Sequence, residues 1–60
     1  MNFATLRMLA TNEMTMAKSR EDRHWGAAWA YAEIARRMGN EPQKGEMAAL
    51  IYSMAEERGI

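Results

Sequence analysis

Cysteine is absent from the chain, which excludes disulfides and thiolate metal sites and suits a reducing, cytoplasmic setting. Valine is absent too. With no alternating apolar run and no hairpin dipeptide, nothing in the sequence signals a strand. No charge sign dominates: eight basic residues face eight acidic ones, for a formal net charge of zero. That balance gives no nonspecific grip on nucleic acid or an anionic membrane. Apolar runs fall short of the roughly 18–20 residues of a membrane span. Arg7 interrupts the first of them, and no cleavage motif follows. Pro42 is the single proline and His24 the single histidine, so helix breakers are scarce and imidazole chemistry is scarcer. With 60 residues the chain makes one domain, 1–60. A domain of that size buries only about 60% of its unfolded surface.

What the chain does hold is helix signals, densest between Ser19 and Asn40. Ser19 is a predicted N-cap, with Glu21 and Asp22 in the first turn, where the helix dipole favours carboxylates. Arg36 and Arg37 fall in the last turn, and Gly39 offers a left-handed stop. Around this helix the apolar arc is wide. Trp25, Trp29 and Ala32 form one edge, Ala27, Tyr31, Ile34 and Met38 the other, with Ala28 and Ala35 between. A helix apolar over more than half its girth needs neighbours on two sides.

Those neighbours are legible on either flank. In residues 2–17, Phe3, Leu6, Ala10, Met14 and Ala17 recur at three- and four-residue steps, with Asn2 as a cap. Thr11-Asn12 offers an alternative break, because Thr and Asn compete for backbone hydrogen bonds. Residues 40–45 read as a loop, and a third helix follows from about 44 to 58, ended by Gly59. Met47, Leu50, Ile51, Met54 and Ala55 line its apolar face, with Tyr52 at the margin. The fold class is therefore all-α. The expected form is a small three-helix bundle, or a helical hairpin with an N-terminal helix, over about 2–17, 19–38 and 44–58.

Chemistry has few candidates. Glu21 and His24 stand at the i, i+3 spacing of the Glu-x-x-His pair of di-metal bundles. Completing such a set needs further carboxylates, with Glu13 the nearest supplier, so no metal and no cofactor are expected. No nucleophile triad, phosphate-cradling loop or His-x-x-x-His spacing occurs. Seven methionines are many for this length. Met38, Met47 and Met54 are expected to fill the core. Met8 and Met16, off the main stripe of their helix, are expected to meet a partner.

The second half of the chain resembles the helix-turn-helix core of bacterial and phage transcription regulators. Ala32-Glu33-Ile34-Ala35-Arg36-Arg37-Met38-Gly39 is similar to the first helix and its terminating glycine. Met47, Ile51 and Met54 follow at the steps of the second helix's buried side, and Glu56-Glu57-Arg58-Gly59 resembles the exit of a recognition helix. That resemblance implies DNA contacts from Gln43 and Lys44, with Arg36 and Arg37 as further candidates. The chain departs from the pattern in a turn about two residues too long. It departs again in a recognition face of Glu46, Ala49, Ser53, Glu56 and Glu57, which phosphates repel. The same two helices are also similar to one tetratricopeptide-like hairpin, which cannot bury its face alone.

The reading that follows is a small non-enzymatic protein-binding module. Its expected partner is another protein or a second copy of itself. Nucleic acid is the disfavoured alternative, and no membrane is involved. Candidate contact residues are Trp25, Trp29 and Tyr31, the aromatic anchors of binding hot spots, with Arg23, Arg37, Met8 and Met16. By analogy with compact chains of this size, it would serve as an accessory or inhibitor protein of a phage or mobile element.

Overall fold

The structure, a computed structural model, describes residues 1–19 and 22–59. It is an all-α three-helix bundle: α1 over Phe3–Ser19, α2 over Arg23–Met38 and α3 over Glu41–Arg58. Asn2 caps α1, its side-chain oxygen accepting from the Thr5 amide at 2.9 Å. No break occurs at Thr11-Asn12. The hydroxyls of Thr11 and Thr15 donate to the carbonyls of Arg7 and Thr11, each at 3.0 Å. This back-bonding one turn up keeps both threonines inside the helix instead of competing with it.

Two helix boundaries differ from expectation. Ser19 closes α1 rather than opening α2, and Asp22 occupies the N-cap of α2 without a side-chain cap bond. The predicted loop over 40–45 shrinks to Gly39 and Asn40. Asn40 accepts from the Gln43 amide at 3.0 Å, and the Gln43 side chain accepts from the Asn40 amide at 2.9 Å. This reciprocal capping box starts α3 at Glu41, and Pro42 sits in the first turn, where no amide partner is needed. Gly39 is extended, with φ −81° and ψ 164°, not left-handed. Its lack of a side chain serves a close approach instead, since a Cβ there would lie 2.8 Å from the Cβ of Gln43. The left-handed stop belongs to Gly59, at φ 81°, whose amide donates to the Ala55 and Glu56 carbonyls.

The core has two connected levels. Leu6, Ala35 and Met47 form one, with Phe3, Tyr31 and Leu50 packed against it. Ala10, Met14, Ala17, Trp25, Ala28, Ala32 and Met54 form the other. Passing from the first level to the second, residue numbers rise along α1 and α3 and fall along α2. So α2 runs antiparallel to both neighbours, which run parallel to each other. It packs closely on each, whereas α1 and α3 touch little. Ala28, Ala32 and Ala35 are fully buried, and their small side chains let both flanking helices approach the α2 backbone. Met47 and Met54 are the largest fully buried side chains, filling the space left over the alanines. Met38, expected in the core, is half exposed instead, because it lies beyond the last level that α1 covers.

Two ion pairs tie the parallel helices across the gap between them. Arg7 meets Glu46 at 3.3 Å, and Lys18 meets Glu57 at 3.6 Å, eleven residues further along each helix. Both pairs are about half exposed and contribute little singly. Arg7 also lies over the Phe3 ring, 5.5 Å from its centroid.

The helix-interior glycines set a direct test. A Cβ at Gly26 or Gly45 meets nothing within 4 Å. Gly26→Ala and Gly45→Ala should each stabilise the dilute protein by roughly 0.5–1 kcal/mol, raising the midpoint of a circular-dichroism melt by a few degrees. Gly39→Ala should lower it, because displacing Gln43 undoes a cap worth about 1 kcal/mol. A rise at position 39 would contradict the close-approach account.

Candidate functional site

Three of the six exposed large apolar residues among those described, Met1, Ile34 and Met38, gather at one end of the bundle. There the start of α1 meets the end of α2. Met1, Leu6, Tyr31, Ile34, Arg37 and Met38 surround an open groove of about 420 Å³. Leu6 is buried and Tyr31 half-buried, so they form the floor. Ile34, 51% exposed, and Met38, 48% exposed, stand as walls. Helix geometry explains the gathering: Tyr31, Ile34 and Met38 recur at three- and four-residue steps on the flank of α2 that turns past α1.

Arg37 supplies the charge at the rim. Its side chain is 78% exposed and reaches Glu33 only at 4.0 Å. Glu33 is already engaged by Arg36, which donates to both its oxygens at 3.0 and 2.9 Å. This two-pronged hydrogen bond, aided by the charges of Arg36 and Arg37, holds the Glu33 carboxyl below the usual carboxylate range. The same bond holds the Arg36 guanidinium above its usual value. The groove edge therefore carries two cations against one carboxylate, and Arg37 is the cation left reaching into solvent.

A second groove, of about 410 Å³, opens between α1 and α3. Met8, 55% exposed, lines it with Thr11, Asn12, Ala49 and Ser53, and the Arg7–Glu46 pair closes one end. Met47 and Leu50 also line it, so apolar, small and polar groups mix in its walls, and the Thr11 hydroxyl is spent on the helix backbone.

The residues expected to contact a partner do not form one patch. Trp25 is 4% exposed and stands inside the larger core cluster, so its candidacy for a partner surface is corrected. The reason is geometric: Ala10, Ala17, Ala28 and Ala32 leave a cavity that only a large ring fills. Trp29 is half-buried against that cluster. Tyr31 and Arg37 line the first groove and Met8 the second. Met16 and Arg23 are exposed elsewhere on α1 and α2. Ile34 was assigned to the buried arc, and Met1 and Leu6 were not read as site residues. The missed signal was that a two-neighbour helix leaves a third side uncovered.

Most of the candidates for other chemistry are engaged, Arg37 at the groove rim excepted. Among the residues proposed for DNA, Gln43 is held in the capping box, Arg36 is bound to Glu33, and Lys44 lies 4.0 Å from Glu41. Glu21 lies outside the described residues. His24 meets Glu13 of α1 through Nδ1 at 2.5 Å, a part-buried tether between α1 and α2. Among the described residues no three His, Asp or Glu side chains converge as a metal site. None of the helices is long and apolar enough to cross a membrane, again among the described residues.

The Glu33 pair has a definite pH signature. Because folding lowers the carboxyl's pKa, its stabilising contribution is complete above the ordinary carboxylate range and is lost as pH falls through the lowered value. Glu33→Gln should melt below the wild type at neutral pH, and the gap should close in acid. A gap that persists unchanged in strong acid would contradict the ionic origin of the pair's contribution.

Compared with protein-family models, with curated proteins and with solved structures, the chain finds no match in any of the three.

Proposed function

We propose that the protein is a non-enzymatic binding module that acts by occupying the surface of another protein. The observation that carries this reading is the groove at the meeting of α1 and α2. It brings Met1, Ile34 and Met38 into solvent around an apolar floor, beside the exposed Arg37. Exposing apolar side chains together costs free energy in water, and a contiguous patch of this kind marks a contact surface. About 420 Å³ holds the anchoring side chains of a short helix or extended segment, as in helix-in-groove recognition. An acid beside those anchors would meet Arg37. Met38 and Met1 are flexible enough to adapt to the inserted groups.

The electrostatics of α3 also favour a protein partner over nucleic acid. Its surface carries Glu41, Glu46, Glu56 and Glu57 in exposed positions, and Lys44, the cation in its first turn, lies 4.0 Å from Glu41. Phosphates approaching this helix would meet net negative charge.

The test is capture of a partner from the source cell's lysate by tagged wild type, Ile34→Glu and Met38→Glu. Both positions are about half exposed, so the variants should keep their helical circular-dichroism spectra. Wild type should retain a partner that both variants lose, with modest dependence on salt. Retention of that partner by both folded variants overturns the groove assignment. Tight binding to duplex DNA that falls steeply with salt and weakens in Lys44→Ala would overturn the reading as a whole.

A further inference from the structure

We infer that two copies of the chain associate about a two-fold axis, the outer strip of each α2 seated on the outer strip of the other copy's α3. This goes beyond the groove reading: it concerns the outer face of α2, which shares Ile34 and Arg37 with the groove rim, and sets a second copy as its occupant.

The two strips are complementary in charge. On α2, Arg23, Gly26, Ala30, Ile34 and Arg37 fall within one outward face, a cation at each end and small or apolar residues between. On α3, Glu41, Gly45, Ala48, Tyr52 and Glu56 do the same, with a carboxylate at each end. This strip lies on the α2 flank of α3, away from the groove to α1 that uses Glu46, Ala49 and Ser53. The α2 strip offered to its own kind would set cation against cation, whichever way the helices run. Offered to α3 of a second copy, it sets cations against acids.

Register supplies the second argument. Ala35 and Met47 share one core level, and Ala28 and Ala32 share the other with Met54. Descending α2 from Ala35 thus matches ascending α3 from Met47, and the Ala35–Met47 level sets the register. On that register Ile34 is level with Ala48, Ala30 with Tyr52 and Gly26 with Glu56. An axis parallel to the helices and running between α2 and α3 keeps each level opposite itself. It places Ile34 over the partner's Ala48 and the partner's Tyr52 over Ala30. Each large side chain then meets a small one. Tyr52, 73% exposed in the single chain, gains cover. Arg37 comes within one turn of the partner's Glu41, which is 92% exposed and lies 4.0 Å from Lys44. Glu56, exposed in the single chain, faces the partner's Arg23 end. The contact is isologous, made twice, and therefore closes at a dimer.

Sedimentation equilibrium from micromolar to millimolar concentration tests this, with circular dichroism verifying that each variant is folded. Wild type should be a monomer–dimer system. Arg37→Glu and Glu41→Lys should each weaken the dimer by about tenfold or more, because each sets like charges together. The double variant Arg37→Glu/Glu41→Lys should recover most of that loss, which simple damage to the fold would not allow. Tyr52→Ala, outside the groove, should weaken the dimer as well. Met38→Glu, in the groove but off the strip, should leave it intact, which separates the dimer contact from the groove even though Ile34 and Arg37 serve both. A wild type that stays monomeric throughout overturns the inference and leaves the groove reading standing. A dimer indifferent to Arg37→Glu, Glu41→Lys and Tyr52→Ala overturns it equally.

Discussion

The structure depends on how closely two helices approach the backbone of α2. Ala28, Ala32 and Ala35 are fully buried, and it is their small size that admits α1 on one side and α3 on the other. A bulkier residue at any of them would push a neighbour outward, since packed interiors have little slack. Once the three backbones are close, Trp25, Met47 and Met54 fill what remains. The antiparallel hairpin of α2 and α3, tightened by the Asn40–Gln43 capping box, follows from the same constraint. A longer loop would not be needed to bring Ala35 beside Met47.

That packing also decides where the protein meets the outside. Three helices in an up-down-up order place α2 in the middle, but two neighbours cover only two of its sides. The third side carries Gly26, Ala30, Ile34 and Arg37. Near the Gly39 end, where the shortening contact with α1 leaves Tyr31 and Leu6 as a floor, the uncovered side becomes a groove. The charge distribution follows the same division. Polar tethers between elements are internal: Glu13 with His24, Arg7 with Glu46, Lys18 with Glu57. Arg37 is left at the surface because Arg36 already holds both oxygens of Glu33.

Much of this was legible beforehand, for reasons that are local. The α1 stripe of Leu6, Ala10, Met14 and Ala17 is the buried stripe, because a 3.6-residue period leaves one choice of inner face. Asn2 and Gly59 act as the stops their chemistry favours. The helix-turn-helix resemblance rests on a pattern any antiparallel helix pair produces. Here α2 and α3 share two core levels along their lengths. Errors arose where one local signal competed with another. Ser19 looked like a cap but lies in a helix that simply continued, and Pro42 with Gly45 looked like a loop until the capping box claimed Asn40 as the start of α3.

Sequence alone determined that the chain is helical, that its middle helix needs company on two sides, and which residues of α1 and α3 turn inward. These are matters of periodicity and propensity, carried by neighbours along the chain. Tertiary structure alone decided that Trp25 is core while Ile34 and Met38 are surface, since all three lie on the same broad apolar arc. Periodicity names the arc of a helix that can be buried. Which part of the arc is covered depends on the angles and lengths of the helices laid against it, and those are set only when all three pack together.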